Sequence, residues 1–377
     1  MDSLTHVVLG AAIGTAVLGR KVGPRAALWG AISSTLPDLD VLVRHGDPIS
    51  DFTLHRAWSH SLFWLTLAAP FIAWAIARLH RGGGASFRDW LPLVWLALLS
   101  HPLLDAFTVY GTQLLLPFSD YPVGMGSMFI IDPLYTVPLI VGVLAAVRWR
   151  RKAPARAARW NTAGLVASTA YLAWTVVAQA YVEHDLRHEF AASPLAGRPL
   201  LVTAAPLNTL LWRVVVMDRT GYYEGYRSIL DDRSSPVKLE HHTSESQLLA
   251  PLLQQNDGST QRLAWFSKGF YSVREATPGM ALASGSASAL GQLLGFVKTA
   301  MAAEPHSGVP QRPVVMDDLR MGQTPWFAYS FVVAEREQDR VVAVASQQVP
   351  MDHPPLAALG WVGRRIFSAQ VEPPPSK

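Results

Sequence analysis

Histidine and aspartate residues stand at the ends of several apolar segments in the first half of the chain. An ionisable group in such surroundings is costly and by default marks a functional site. Imidazoles mixed with carboxylates, in a chain that has no cysteine, suit zinc or another borderline divalent ion. The sequence therefore predicts a metal site, and its candidate residues are His6, Asp38, Asp40, His55, His60, His101 and Asp105.

These residues also have structural interpretations when each is taken alone. The histidines before apolar segments fit interfacial polar side chains, and "PDLD" (37–40) is a common loop or cap sequence. His101 and Asp105 lie one helical turn apart and could form a buried hydrogen-bonded pair. Asp132, directly before Pro133, is better explained as a helix cap than as a ligand.

The elements that must position these residues are apolar. Six segments are predicted, and a full membrane crossing needs about 20 residues. The second segment is too short and the fourth is interrupted by "SHPLLD", so we expect some of the six to be re-entrant. The sequence predicts a polytopic α-helical membrane domain over residues 1–182, with segments near 4–19, 26–37, 61–77, 91–107, 128–147 and 161–182.

Lysine and arginine are unevenly distributed among the loops. Residues 20–25, 78–88 and 148–159 hold twelve of them, whereas the alternate loops, 37–60 and 108–127, hold two. By the positive-inside rule the first three loops are cytoplasmic. The candidate metal residues then gather near the opposite, outer face, which favours one cluster over scattered polar positions. The net charge of +4 comes largely from these loops, so the charge predicts a membrane partner and no nucleic acid.

Residues 183–377 have the composition of a soluble α+β domain rich in strands. A hairpin is predicted over 212–229, where β-branched and aromatic runs flank a glycine-containing turn. Further strands are predicted at 262–275, 313–322, 326–335 and 340–349, an amphipathic helix at 286–304, and a disordered tail at "VEPPPSK".

Several short motifs together resemble a known family. "MDSLTH", "PDLD", "HRAWSHS" and "HPLLD", followed by "PLNTLLWR" (206–213), are similar to the LexA-binding, inner-membrane-associated metal-dependent hydrolase family of bacteria. The resemblance covers about residues 1–180, and the family is distantly similar to zinc-dependent phospholipase C, an α-helical fold with clustered zinc ions. The resemblance implies six metal ligands: His6, Asp38, His55, His60, His101 and Asp105. It implies that Asp40 is either a further ligand or a partner that orients a histidine.

We therefore expect a multi-pass protein of the bacterial inner membrane, with the metal site and the C-terminal domain on the periplasmic side. The first hypothesis is a phospholipase C-like hydrolase in which one to three zinc ions, or manganese, activate water against an ester of a lipid-like substrate. Asp40 or Asp105 would act as general base if not a ligand, and Arg56 would stabilise the developing anion. The alternatives are a divalent-ion or proton transporter, and a membrane-anchored binding module with a structural metal.

Overall fold

The chain folds into two units, and each unit is formed from segments that are not continuous in sequence. A computed structural model describes residues 1–254, 258–276, 312–338, 340–351 and 357–372. One unit, here the helical unit, contains residues 1–40, 56–180 and 204–209; the other, the strand-rich unit, contains residues 41–55, 181–203 and 210–377.

The helical unit is built from long α-helices with clear start signals. Asp2 caps the first helix, a capping box of Ser86 and Asp89 begins the fifth, and Asp132 caps the sixth. The predicted capping role of Asp132 is thus confirmed, and its carboxylate also accepts a hydrogen bond from Tyr171 Oη at 2.8 Å. The helices are α1 (Ser3–Val22), α2 (Pro24–Thr35), α4 (Leu62–Leu79), α5 (Phe87–Asp105), α6 (Pro133–Trp149) and α7 (Pro154–Phe190), the last continuing into the strand-rich unit.

A helix lies in each of the six predicted apolar segments. Fewer than six of these helices are long and apolar enough to cross a membrane. Only α1, α4 and α7 are long and apolar enough, among the described residues, to span a membrane. The helix α6 is apolar but has 17 residues. The helical, membrane-type first half is therefore confirmed, and six crossings are not.

Glycines let α1 and α2 pack unusually close together. A Cβ on Gly10 would lie 2.3 Å from the Gly30 carbonyl oxygen, and a Cβ on Gly14 would lie 2.1 Å from that of Ala26. Small residues at such contacts are typical of tightly packed membrane helices. This contact holds the N-terminal turn of α1, which carries His6, beside the end of α2, which leads into Asp38.

The described part of the strand-rich unit contains two four-stranded sheets and a short hairpin. Their orders are β1-β2-β3-β4 and β10-β9-β6-β5, with β7 paired to β8. The hairpin predicted over 212–229 is confirmed as β2 and β3. The strands are β1 (Leu200–Ala204), β2 (Leu211–Met217), β3 (Gly221–Ser228), β4 (Leu239–Thr243), β5 (Tyr271–Glu275), β6 (Arg312–Asp318), β7 (Gly322–Gln323), β8 (Trp326–Phe327), β9 (Ser330–Glu337) and β10 (Arg340–Gln348).

The other predictions for this half had mixed outcomes. The strands predicted near 313–322, 326–335 and 340–349 are confirmed, whereas the one at 262–275 is wrong in its first half. There α9 (Gly258–Phe266) precedes β5, because Leu263 and Phe266 are buried at helical spacing. The strands β1 and β4 and the helices α8 (Ala250–Gln254) and α10 (Ala357–Phe367) were not predicted. The helix predicted at 286–304 lies outside the described residues, as does most of the predicted tail.

Residues 41–55, from the loop between two helical segments, pack into the strand-rich unit. The helix α3 (Pro48–Leu54) contacts α9 and β10. The ring of Phe52 stacks on Tyr329 with centroids 4.2 Å apart and contacts the rings of Phe266 and Phe331. An aromatic cluster of this kind is a strong anchor. His55 therefore belongs to the strand-rich unit.

A buried ion pair provides a stability test of the strand-rich unit. Arg213 Nε donates to Glu224 Oε1 at 2.6 Å, and both side chains are almost fully buried. Burial raises the pKa of Glu224, but the Arg213 guanidinium outweighs it and holds the pKa below its usual value. We expect Glu224→Gln to lower the free energy of unfolding by about 3–5 kcal/mol, because an uncompensated buried cation remains.

The pH dependence of this stabilisation has a definite sign. A carboxylate whose pKa is lower in the folded than in the unfolded protein stabilises fully above the unfolded value of about 4.3, and stabilises less as the pH falls toward the folded value. The measurement is thermal unfolding of the full chain in detergent between about pH 2.5 and 7, a range that extends below the unfolded pKa, with Glu245→Gln, at an exposed glutamate, as control. Equal melting temperatures for the two variants would contradict the assignment.

Candidate metal centre

Four side chains of the helical unit, three of them fully buried, converge on one point. One ligand atom from each of Asp38, His60, His101 and Asp105 lies within 4.8 Å of the other three. Asp38 is on a 3-10 turn (Leu36–Leu42) that follows α2, and His60 ends a 3-10 turn (Trp58–His60) that precedes α4. His101 and Asp105 lie one turn apart on α5, so both face the same side of that helix.

Five of the six distances between the four ligand atoms are close to the edge length of a zinc tetrahedron. His60 Nε2 lies 3.1 Å from His101 Nε2, and Asp38 Oδ1 lies 3.2 Å from His101 Nε2 and 3.5 Å from His60 Nε2. Asp105 Oδ2 is 3.4 Å from each of the two Nε2 atoms. A four-coordinate ion with bonds of about 2.0–2.1 Å places its ligands about 3.3–3.4 Å apart. Five of the distances therefore fit a four-coordinate ion, and all four ligand atoms lie within 4.8 Å of one another.

The far nitrogen of each imidazole is held by a partner outside the four. His101 Nδ1 donates to the backbone carbonyl of Ser34 at 2.5 Å. His60 Nδ1 donates to Ser59 Oγ at 2.9 Å, and Ser59 in turn donates to Asp40 Oδ2 at 2.5 Å. Such hydrogen bonds fix the ring orientation and direct Nε2 toward the other ligand atoms. Asp40 therefore lies on the Nδ1 side of His60, which favours the orienting alternative for this residue over ligation.

The two oxygens of Asp105 have different surroundings. Oδ2 points toward His60 and His101 and accepts no hydrogen bond from the described residues, although it is fully buried. Oδ1 lies 3.3 Å from Arg56 Nη2 and 3.2 Å from His6 Nε2, and it also contacts the nitrogen of Met1. A buried carboxylate oxygen without a donor is the kind of atom that a cation would satisfy.

Arg56 supplies a fixed positive charge beside this carboxylate. Its side chain is buried, donates from Nη1 to Thr108 Oγ1 at 3.2 Å, and lies over the ring of Tyr110 with Cζ 4.7 Å from the centroid. Its backbone has φ 67°, a region that non-glycine residues rarely occupy, and its N–H donates to Asp40 Oδ2. A residue held this way is typical of functional sites.

Two other predicted ligands, His6 and His55, are not among the four residues. His6 is fully buried and stacks on His101 with ring centroids 3.6 Å apart, but it is not among the four residues. Its Nδ1 has no hydrogen-bond partner among the described residues. His55 lies in the strand-rich unit, at the C-terminal cap of α3. The structure thus brings together Asp38, His60, His101 and Asp105, with Asp40, Arg56 and His6 directly around them.

The electrostatics of the cluster favour a cation. Burial lowers the pKa of His60, but the carboxylates of Asp105, Asp38 and Asp40 outweigh it and raise the pKa to about 10. His60, His101 and Asp105 have fully buried side chains, while that of Asp38 is 16% exposed. Metal binding at such a site releases protons, since a metal ligand must be unprotonated.

Two contributors were missed at the level of sequence. Ser59 lies within the quoted motif "HRAWSHS", and its position beside His60 was the available signal. The Ser34 contact is made by a backbone carbonyl, and a contact of this kind cannot be predicted from the type of residue.

The fold and the cluster together define a helical membrane protein with a buried His/Asp centre that can hold a metal ion. The chain belongs to the YdjM inner membrane protein family, whose model matches residues 1–182. It is 33% identical over 120 residues to Inner membrane protein YbcI of Escherichia coli (strain K12), covering 31% of this chain and 68% of that protein. It is 27% identical over 256 residues to Uncharacterized protein YfhP of Bacillus subtilis (strain 168), covering 61% and 71%. No solved structure matches significantly.

These comparisons support one part of what the resemblance implied, the location in the inner membrane. The matched family and one relative are both named as inner membrane proteins. They carry no indication of LexA binding or of a phospholipase C relationship, and hydrolase activity stays a prediction.

Proposed function

We propose that this protein binds one zinc ion through Asp38, His60, His101 and Asp105 and uses it to hydrolyse an ester of a lipid-like molecule. The observation that supports the metal is that five of the six distances between ligand atoms, 3.1–3.5 Å, are close to the edge length of a zinc tetrahedron. Manganese is the alternative ion, because mixed imidazole and carboxylate ligands also suit it.

The residues around the ion have separate tasks in this proposal. A bound divalent ion would supply Lewis-acid chemistry and lower the pKa of a water molecule. Ser59 and Asp40 hold the His60 ring, and the Ser34 carbonyl holds the His101 ring. Arg56 compensates the charge of Asp105, leaving the outer oxygen Oδ1 neutralised by a guanidinium rather than by a second ion. We therefore propose one ion.

The proposed substrate class rests on the exposed surroundings of the least buried ligand. Leu39, between Asp38 and Asp40, is 49% exposed, and Trp58, next to Ser59, is 55% exposed. Apolar side chains beside a polar centre suit an amphiphilic molecule whose head is hydrolysed. A phosphoester is the first candidate, in keeping with the resemblance to phospholipase C.

A structural metal is the second candidate function. Four protein ligands close a tetrahedral site, and closed sites are typical of structural zinc. The two candidates differ in metal exchange and in activity. Zinc that exchanges within minutes and supports cleavage of a phosphodiester or carboxylester lipid analogue would favour the hydrolase. Zinc that leaves only on unfolding, with no cleavage by the wild type beyond the level of His101→Ala, would favour the structural role.

The orientation is a proposal that the charge distribution supports. With residues 20–25, 78–88 and 148–159 in the cytoplasm, the metal site and the strand-rich unit would face the periplasm. Reporter fusions after Gly83, Pro154 and Gly258 are expected to be cytoplasmic, cytoplasmic and periplasmic. A cytoplasmic report at Gly258 would contradict the periplasmic assignment of the strand-rich unit.

A further inference from the structure

The four-ligand geometry raises a difficulty for any metal-assisted hydrolysis at this site. Catalytic zinc keeps one position for water or substrate and is held by three protein ligands, whereas four protein ligands leave no position open. A hydrolase built on this cluster must therefore release one of its four ligands or add a fifth. The inference that follows rests on the proposed metal-binding function and specifies which ligand is released.

Three of the four ligands are held by partners outside the cluster. The rings of His60 and His101 are fixed at Nδ1 by a hydroxyl and by a backbone carbonyl. Asp105 is fixed at Oδ1 by Arg56 and His6. All three side chains are fully buried, so moving any of them would break hydrogen bonds or ion pairs that water cannot easily replace.

Asp38 is held differently. Its carboxylate lies near the Nε2 atoms of His60 and His101, and the described residues give it no hydrogen bond from outside the cluster. It is 16% exposed, where the other three ligands have no exposed surface.

We propose that Asp38 is the exchangeable ligand of the centre, which an anionic oxygen of the substrate or a water molecule displaces. His60, His101 and Asp105 then remain as the permanent three-ligand set. The partly exposed carboxylate can move toward solvent without being desolvated, since that movement increases its access to water. The ligand that would replace Asp38 is a phosphate or carboxylate oxygen, because its negative charge would be attracted to the bound cation.

The test compares metal retention in the full-length, detergent-purified wild type, Asp38→Ala and Asp105→Ala proteins. Asp120→Ala, at an exposed aspartate of the helical unit, is the matched control. We expect Asp38→Ala to keep about one zinc per chain with roughly 100-fold weaker affinity, comparable to the loss of a supporting partner. We expect Asp105→Ala to lose the metal and Asp120→Ala to behave as wild type.

A second readout follows the open position directly. Cobalt(II) replaces zinc with a visible spectrum that depends on the number of ligands. Added acetate or inorganic phosphate should change the cobalt spectrum of Asp38→Ala at a concentration at least tenfold lower than is needed for wild type. Loss of metal from Asp38→Ala as complete as from Asp105→Ala would overturn the proposal, as would equal anion sensitivity. Absence of metal from the wild type would instead refute the proposed function itself.

Discussion

The His101→Ala variant is expected to carry no zinc after purification, where the wild type carries one ion per chain. His101 contributes three of the five ligand-to-ligand contacts of the cluster, at 3.1, 3.2 and 3.4 Å. Its removal leaves one imidazole and two carboxylates, and it also removes the stacking surface of His6. The measurement is elemental mass spectrometry of detergent-purified protein after dialysis against a weak chelator.

His6→Phe is the informative control for this experiment. Phenylalanine keeps a flat ring against His101 while removing both nitrogens, so a supporting His6 predicts retained zinc and a ligating His6 predicts its loss. The structure places His6 Nε2 on Asp105 Oδ1, outside the four-residue set, and we expect zinc to be retained. Retention of zinc by His101→Ala would contradict the assignment of the four ligands.

Substituting Arg56 with glutamine is expected to destabilise the helical unit by about 3–5 kcal/mol, the range for breaking a buried ion pair. The Arg56 guanidinium is 3.3 Å from Asp105 Oδ1, in a region where the Asp105 side chain has no exposed surface. The substitution leaves a buried carboxylate with less compensation. The measurement is unfolding of the metal-free protein in detergent, followed by tryptophan fluorescence.

A double-mutant cycle separates the charge from the packing of Arg56. If the charge pair dominates, Arg56→Gln combined with Asp105→Asn should be less destabilised than the sum of the two single variants. Arg56→Lys should recover part of the loss, since lysine keeps the charge but not the contacts with Thr108 and Tyr110. Additive effects of the two single substitutions would contradict the coupling of Arg56 to Asp105.

Much of the centre could be predicted from local sequence. The His101–Asp105 spacing places both side chains on one face of any helix, and Asp38 ends an apolar segment beside a proline, where a helix stops. The loop charges were an independent reason to expect convergence on one face. These signals are short-range or compositional, which is why a single sequence contains them.

Tertiary contacts decided the rest. His55 and His60 are five residues apart, yet Phe52 anchors the chain up to His55 in the strand-rich unit while His60 joins the cluster. No local pattern announces that the chain leaves one unit and returns to it between these histidines. Residues 262–266, at the end of α9, were likewise predicted as part of a strand, because their aromatic and apolar residues suit both periodicities over so short a run.

X-ray absorption spectroscopy of the zinc-loaded, full-length protein tests the central claim most directly. The account predicts one zinc per chain with about four nitrogen or oxygen ligands near ~2.0 Å, two of them imidazoles. It also predicts no scattering from a second metal at about 3.5–4 Å, because Arg56 occupies the side of Asp105 that a second ion would need. A spectrum without imidazole scattering, or a protein that takes up no stoichiometric zinc or manganese on reconstitution, would contradict the account.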